Sequence, residues 1–416
     1  MSYTQEIKDK ISELASQSSE DCTSIGYGFK ESNGKLTKEK SIIFTFKKKK
    51  PLEELSPNEI IPNTITIGNE SIKTDVQEGI NKLVAYEACP SNFYQWSDNS
   101  DLNPNGVITP IQQNEVRPLK GGLQIRNQSL GFLGTMGFIA VDKDTNSLVG
   151  VTNAHVMTNC FFSANESGRG VFDVYGDNMG QPATSTNQRV GVTKRYVTVD
   201  GSPTVNYVDG AIFTLDESQI DLNESYKYYG FSFEDAPPFA TTEEIDDLIN
   251  NDWEFYSVGR TTGAKGEGDT KLKFASIETV YVYNTLTTST ARLTRYDECI
   301  KYIASASTTT NGNSCFYPIN SGDSGSALLA NINGTVKIIG ICFAGSTTGS
   351  SEGYFTSGKA CRIDRVAEEL NIESFTGQTV NFSDKLNPQV HYEVGFSSIP
   401  ELIIDGNKFY QVGTVS

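Results

Sequence analysis

Between residues 120 and 365 the chain is broken into short β-type runs, and this feature most limits what it can fold into. The runs are GTMGFIAV, SLVGVTNA, GVTKRYVTV, GAIFTL, WEFYSVG, KLKFASIETVYVY, SALLANI and TVKIIGICFAG, with Gly, Asn, Asp and Ser between them. Runs of this kind suit strands, and the small polar residues that separate them let the backbone reverse. No helical periodicity intervenes, which excludes a sheet wound through alternating helices and points to an all-β barrel or sandwich. The 37 glycines and an aromatic content of 10% fit many short strands joined by tight turns.

The flanks read differently. In the first 80 residues, a small α+β unit, Ile7, Ile11 and Leu14 fall on one face of a short amphipathic helix. The SNGK turn between two apolar runs then signals a hairpin, PLEELSPNEIIP a proline-bounded connection, and TITIGNESIKTDV a second strand pair. Residues 81–119 are a connector rich in Asn, Pro, Ser and Gln, and 120–370 form the β domain, which ends in a helix over RIDRVAEELNI. Residues 371–416 are a C-terminal extension, with a hairpin expected around the Asp405-Gly406-Asn407 turn.

Charge and composition remove several classes of function. Acidic residues number 51 against 34 basic, a formal net charge of −17. That argues against nucleic acid as a partner, because phosphate binding needs a basic face. The four lysines at 47–50 read as the solvated end of the strand SIIFTF. No stretch is long and apolar enough to cross a membrane, and MSYTQEIKDKISELASQSS lacks the apolar core of a signal peptide, so a cytoplasmic protein is expected. The seven cysteines are widely spaced without a Cys-x-x-Cys, as buried thiols would be, although Cys299 and Cys315 could pair in an oxidising compartment. Two distant histidines and no His-Glu-x-x-His leave no zinc site, and no phosphate-cradling glycine loop occurs; no metal or cofactor is expected.

The remaining chemistry gathers around PINSGDSGSALL, residues 318–329. Ser324 is a nucleophile only if a base takes its proton. An imidazole base must be His155, at the end of the strand in LVGVTNAHVMT, or His391, in the C-terminal extension. The best group to orient it is Asp209 in NYVDGAIFTL, at a strand start, with Asp200 as the fallback. Gly322 and Gly325 allow positive φ, and in such a turn the amides of Gly322 and Ser324 can converge on a developing oxyanion.

TNAH with His155, DGAIFTL with Asp209 and GDSGS with Ser324 occur in the chain order of the chymotrypsin/trypsin-like serine peptidases, which the chain resembles over roughly 120–370. More narrowly, RPLKGG, GTMGFIAV…TNAHV, VGRTTG and GDSGSAL resemble bacterial relatives of the plant Narrow Leaf 1 trypsin-like group. The resemblance implies a mainly β, trypsin-like double β-barrel. It also implies that family's own division of labour, with Ser324 attacking, His155 taking the proton, Asp209 orienting the ring, the Gly322 and Ser324 amides holding the oxyanion, and Asp323 shaping the loop. By the same resemblance Pro318 lies at the floor of the specificity pocket, where trypsin-type members carry an aspartate, so cleavage after Lys or Arg is not implied. Phe343 would narrow that pocket, and Ala344 and Gly345 would offer backbone pairing to an extended peptide. RPLKGG lacks the apolar pair that follows a zymogen cut and reads as a connector turn, which leaves Asp323 needing another donor; VGRTTGAKGEGD at 258–269 is the glycine-rich stretch suspected of switching.

The function expected is therefore a regulated, intracellular serine endopeptidase acting on polypeptide, with a protein activator or a second copy of the chain as further partners. The alternatives are a non-catalytic interaction module on the same fold and a serine esterase pairing Ser324 with His391. The esterase needs Gly-x-Ser-x-Gly, and Ser326 breaks that pattern.

Overall fold

The computed structural model describes residues 2–32, 35–57, 59–83, 100–102, 108–110, 115–128, 133–158, 178–181, 189–199, 201, 204–233, 235–267, 271–283, 292–304, 318–347, 355–382, 402–404 and 407–409. The architecture is mainly β, a curled sheet and a ring of strands that form two barrels, with further strands at the N-terminal side.

The first barrel is an eight-stranded curled sheet in the order Ile372–Ser374, Phe138–Asp142, Ser147–Thr152, Ala211–Thr214, Arg189–Tyr196, Asn178–Gly180, Gln124–Asn127, Leu133–Thr135. Ile125, Met136, Ile139, Leu148, Val190 and Phe213 fill its core. In the second barrel six strands close on themselves. Phe255–Gly259 pairs Leu272–Tyr283, and the ring continues through Arg292–Ala304, Ser357–Arg362, Thr335–Thr347 and Ala327–Ile332 back to Phe255–Gly259. Closure leaves no free edge where these strands pair, but residues 344–347 run past the end of Ala327–Ile332 and are met on that side by the strand Ile80–Leu83.

The N-terminal strands join the second barrel directly. Cys22–Ser32 pairs antiparallel with Leu272–Tyr283, and Lys35–Phe46, Glu70–Glu78 and Thr64–Ile67 follow in order. The helix Gln5–Gln17 packs on this sheet through Ile7, Ile11 and Ala15, spaced by one turn each, while Leu14 is only partly buried. Gly26 and Gly28 permit the close approach of the sheet to its neighbour, since an added Cβ at either would lie within 2.6 Å of atoms of residues 275–278.

After the second barrel comes the short helix Ile363–Glu369, with Ile363 and Val366 inward. Leu402–Ile404 and Asn407–Phe409 form a separate antiparallel pair. The 117–122 stretch is a packed connector. Leu119 is fully buried, and the amides of Leu119, Gly121 and Gly122 donate to Gln219, Lys227 and Met136 carbonyls. Cys22, Cys299, Cys342 and Cys361 are buried free thiols. Cys315, Asp200 and His391 lie outside the described residues.

Candidate active site

Strand register brings the first two site residues together. Thr152 pairs with Ala211 at the end of their ladder. His155, three residues past Thr152 on the helical turn Ala154–Thr158, thus meets Asp209, two residues before Ala211. Asp209 Oδ2 is 2.6 Å from His155 Nδ1, and its Oδ1 accepts from the His155 amide at 3.1 Å. Asn153 Nδ2 donates to the Asp209 carbonyl at 2.6 Å, and the Asp209 amide donates to Cys361 Sγ at 3.3 Å. The carboxylate is fully buried. Burial, and next the nearby Asp209 charge, push the Cys361 thiol and the Tyr296 phenol well above their ordinary ranges, which keeps both neutral.

Ser324 comes from the second barrel, on the loop before Ala327–Ile332. Its Oγ is 2.7 Å from His155 Nε2. The Ser324 hydroxyl, the His155 imidazole and the Asp209 carboxylate thus form one unbroken hydrogen-bonded relay across the two barrels. With Asp209 on Nδ1, the neutral ring carries its proton there and presents a free Nε2 lone pair to the serine.

The loop takes its shape from two glycines and an aspartate. Gly322 and Gly325 have φ of +93° and +92°. Among the described residues, the amides of Gly322 and Ser324 donate to no other group, so both remain available to an oxyanion. Asp323 is buried and fully satisfied. Its Oδ1 accepts from the Thr261 and Thr262 amides at 2.9 and 3.1 Å, and its Oδ2 accepts from Thr262 Oγ1 at 2.6 Å and the Asn320 amide at 2.9 Å. Lys265 Nζ adds an ion pair at 3.5 Å. The stretch suspected of switching therefore supplies the donors that Asp323 needs.

Thr135 escaped sequence reasoning. Its amide donates to the Ser324 carbonyl at 2.8 Å, its hydroxyl donates to the Gly322 carbonyl at 2.9 Å, and that hydroxyl accepts from the Arg260 amide at 3.0 Å. No local signal marks it, because the nearby glycines take their meaning only from the fold. An added Cβ on Gly134 or Gly137 would lie 3.0 Å from the Ser324 carbonyl oxygen or 2.3 Å from the Gly325 carbonyl oxygen.

The residues expected at the substrate side are more dispersed. Pro318 is buried at the loop start. Phe343 points into the barrel, its ring 4.7 Å from that of Tyr296. Gly345 presents its Cα to Phe355 and Ile319, whose atoms lie 2.4 and 2.9 Å from where a Cβ would stand. Ala344 and Gly345 lie on Thr335–Thr347, opposite Leu83 and Lys82 of the strand Ile80–Leu83.

No family model and no curated protein matches the chain. Among solved structures it is similar to Thermobifida fusca protease A, with 14% identity and a TM-score of 0.37 over 62% of this chain and 99% of that one. A glutamic acid-specific serine protease gives 15% identity and a TM-score of 0.36, covering 62% of this chain and 100% of that one. Cellulomonas bogoriensis chymotrypsin gives 14% and 0.33, covering 62% and 98%. The functional reading rests on the geometry of the site itself.

Proposed function

We propose that the chain is a serine endopeptidase that cleaves polypeptide through an acyl-enzyme. The observation that carries this reading is the relay Asp209–His155–Ser324, at 2.6 and 2.7 Å, beside two amides that donate to no other group among the described residues. Ser324 Oγ adds to the scissile carbonyl while His155 Nε2 takes its proton. Asp209 stays ionised and stabilises the imidazolium. The carbonyl oxygen, now negative, accepts from the Gly322 and Ser324 amides, a contribution of about 3–4 kcal/mol per donor. His155 then protonates the leaving amine, the C–N bond breaks, and water repeats the sequence on the Ser324 ester with the roles reversed.

The RPLKGG, VGRTTG and GDSGSAL motifs support kinship with the bacterial relatives of the Narrow Leaf 1 group. Four buried free thiols agree with a reducing, cytoplasmic setting, and no helix among the described residues is long and apolar enough to cross a membrane. Engagement of Ser324 by His155 favours this reading over an esterase that pairs Ser324 with His391.

The test is labelling by a serine-reactive phosphonate together with amide hydrolysis. Ser324→Ala and His155→Ala lose both, and His391→Ala keeps both. Equal labelling of wild type and His155→Ala would reject the relay.

A further inference from the structure

The edge that an extended substrate needs is already occupied by the chain itself. Cys342 is tied to the nucleophile loop, since its carbonyl accepts from the Gly325 amide at 2.9 Å, one residue past Ser324. The strand Thr335–Thr347 leaves the loop there, and its next residues are the ones Ile80–Leu83 covers. Ala344, Gly345, Ser346 and Thr347 face Leu83, Lys82, Asn81 and Ile80 in antiparallel register. A polypeptide presenting a bond to Ser324 gains affinity and alignment by adding as a strand at such an edge. We infer that Ile80–Leu83 is a substrate-like strand that holds the peptidase latent, and that polypeptide enters only when this strand leaves. The inference rests on the peptidase reading above.

Two further observations bear on it. Asn81 is fully buried and locks the strand in place. It accepts from Ser346 Oγ at 2.6 Å and donates to the Thr23 carbonyl at 2.7 Å. The strand also pairs in parallel with Val282 and Tyr283, so it wedges between two strands of the second barrel. The strand hangs from the N-terminal sheet, where the Gly79 amide donates to the Phe46 carbonyl and the Gly79 carbonyl accepts from Thr23 Oγ1. Whatever strains that sheet bears directly on the lock.

The experiment compares two substrates on three proteins. Fluorescein-labelled casein needs the edge, whereas p-nitrophenyl acetate is too small to reach it. The proteins are wild type, Asn81→Ala, and the double variant Asn81→Cys with Ser346→Cys, whose facing positions can be bridged with diamide and released with a reductant. Casein hydrolysis is expected to rise about tenfold in Asn81→Ala as the released population grows. It should stop in the bridged double variant and return on reduction, with Ser324-dependent acetate release the same in the bridged and reduced forms of that variant. Equal casein hydrolysis by the bridged and reduced forms overturns the latency and leaves the peptidase reading standing. Absence of Ser324-dependent acetate release from every form overturns the peptidase reading and the latency with it.

Discussion

Thr135 is the residue through which the first barrel sets the nucleophile loop, and Thr135→Val isolates that role. Valine matches threonine in shape, so no cavity opens; only the hydroxyl disappears. It now donates to the Gly322 carbonyl at 2.9 Å and accepts from the Arg260 amide at 3.0 Å. Both partners are buried backbone groups, and leaving each unsatisfied costs about 1–3 kcal/mol, about 2–6 kcal/mol together. The bond from the Thr135 amide to the Ser324 carbonyl survives and keeps the barrels joined, as does the one within the first barrel from Thr152 Oγ1 to the Thr135 carbonyl at 2.8 Å. The chain relieves the loss most readily by turning the Gly322–Asp323 peptide, which lies between the Gly322 and Ser324 amides and so shifts the two oxyanion donors relative to one another. Steady-state hydrolysis should show kcat reduced about 100- to 1000-fold with KM little changed. Denaturant unfolding should show stability lower by about 2–6 kcal/mol. Thr135→Ser, which keeps the hydroxyl, should recover most of kcat. A valine variant with wild-type kcat, whether or not it is less stable, would refute the claim that this hydroxyl sets the loop.

Two further outcomes follow from the same geometry. Gly322→Ala must hold alanine at φ +93° with its Cβ 2.3 Å from Arg260 Nη1; strain of about 1–3 kcal/mol should lower phosphonate labelling far more than melting temperature. Glu278→Gln removes the fully buried carboxylate that binds Lys359 and lies 3.4 Å from Lys301, which should cost about 3–5 kcal/mol in denaturant unfolding. Burial alone would push the Glu278 carboxyl up, but Lys301 and Lys359 outweigh it and hold it well below the usual carboxylate range. Its folded-state value therefore lies under the unfolded one, so its stabilisation is complete above about pH 4.3 and fades as pH falls further. Stability of the glutamine variant measured against pH should show a flatter acid limb than wild type, and parallel acid limbs would contradict that assignment.

Much of the site was legible because its residues sit where strands end. His155 follows an apolar strand, Asp209 precedes one, and Ser324 lies between glycines, so local pattern offers them as candidates and the resemblance in chain order to the chymotrypsin/trypsin-like peptidases selects these three. The same patterning, short apolar runs cut by turn residues, is enough for a barrel class, because side-chain alternation and turn chemistry are local properties of the chain. Thr135 and the donors of Asp323 carry no such mark. A threonine between glycines or in a glycine-rich loop is ordinary, and only the approach of residues 135, 260–262 and 322–324 in space makes their hydroxyls and amides specific. The place of Ile80–Leu83 is likewise a tertiary matter. Four residues contain nothing that selects a partner strand, and pairing across more than 260 positions is decided by which edge the closed barrel and the N-terminal sheet leave within reach.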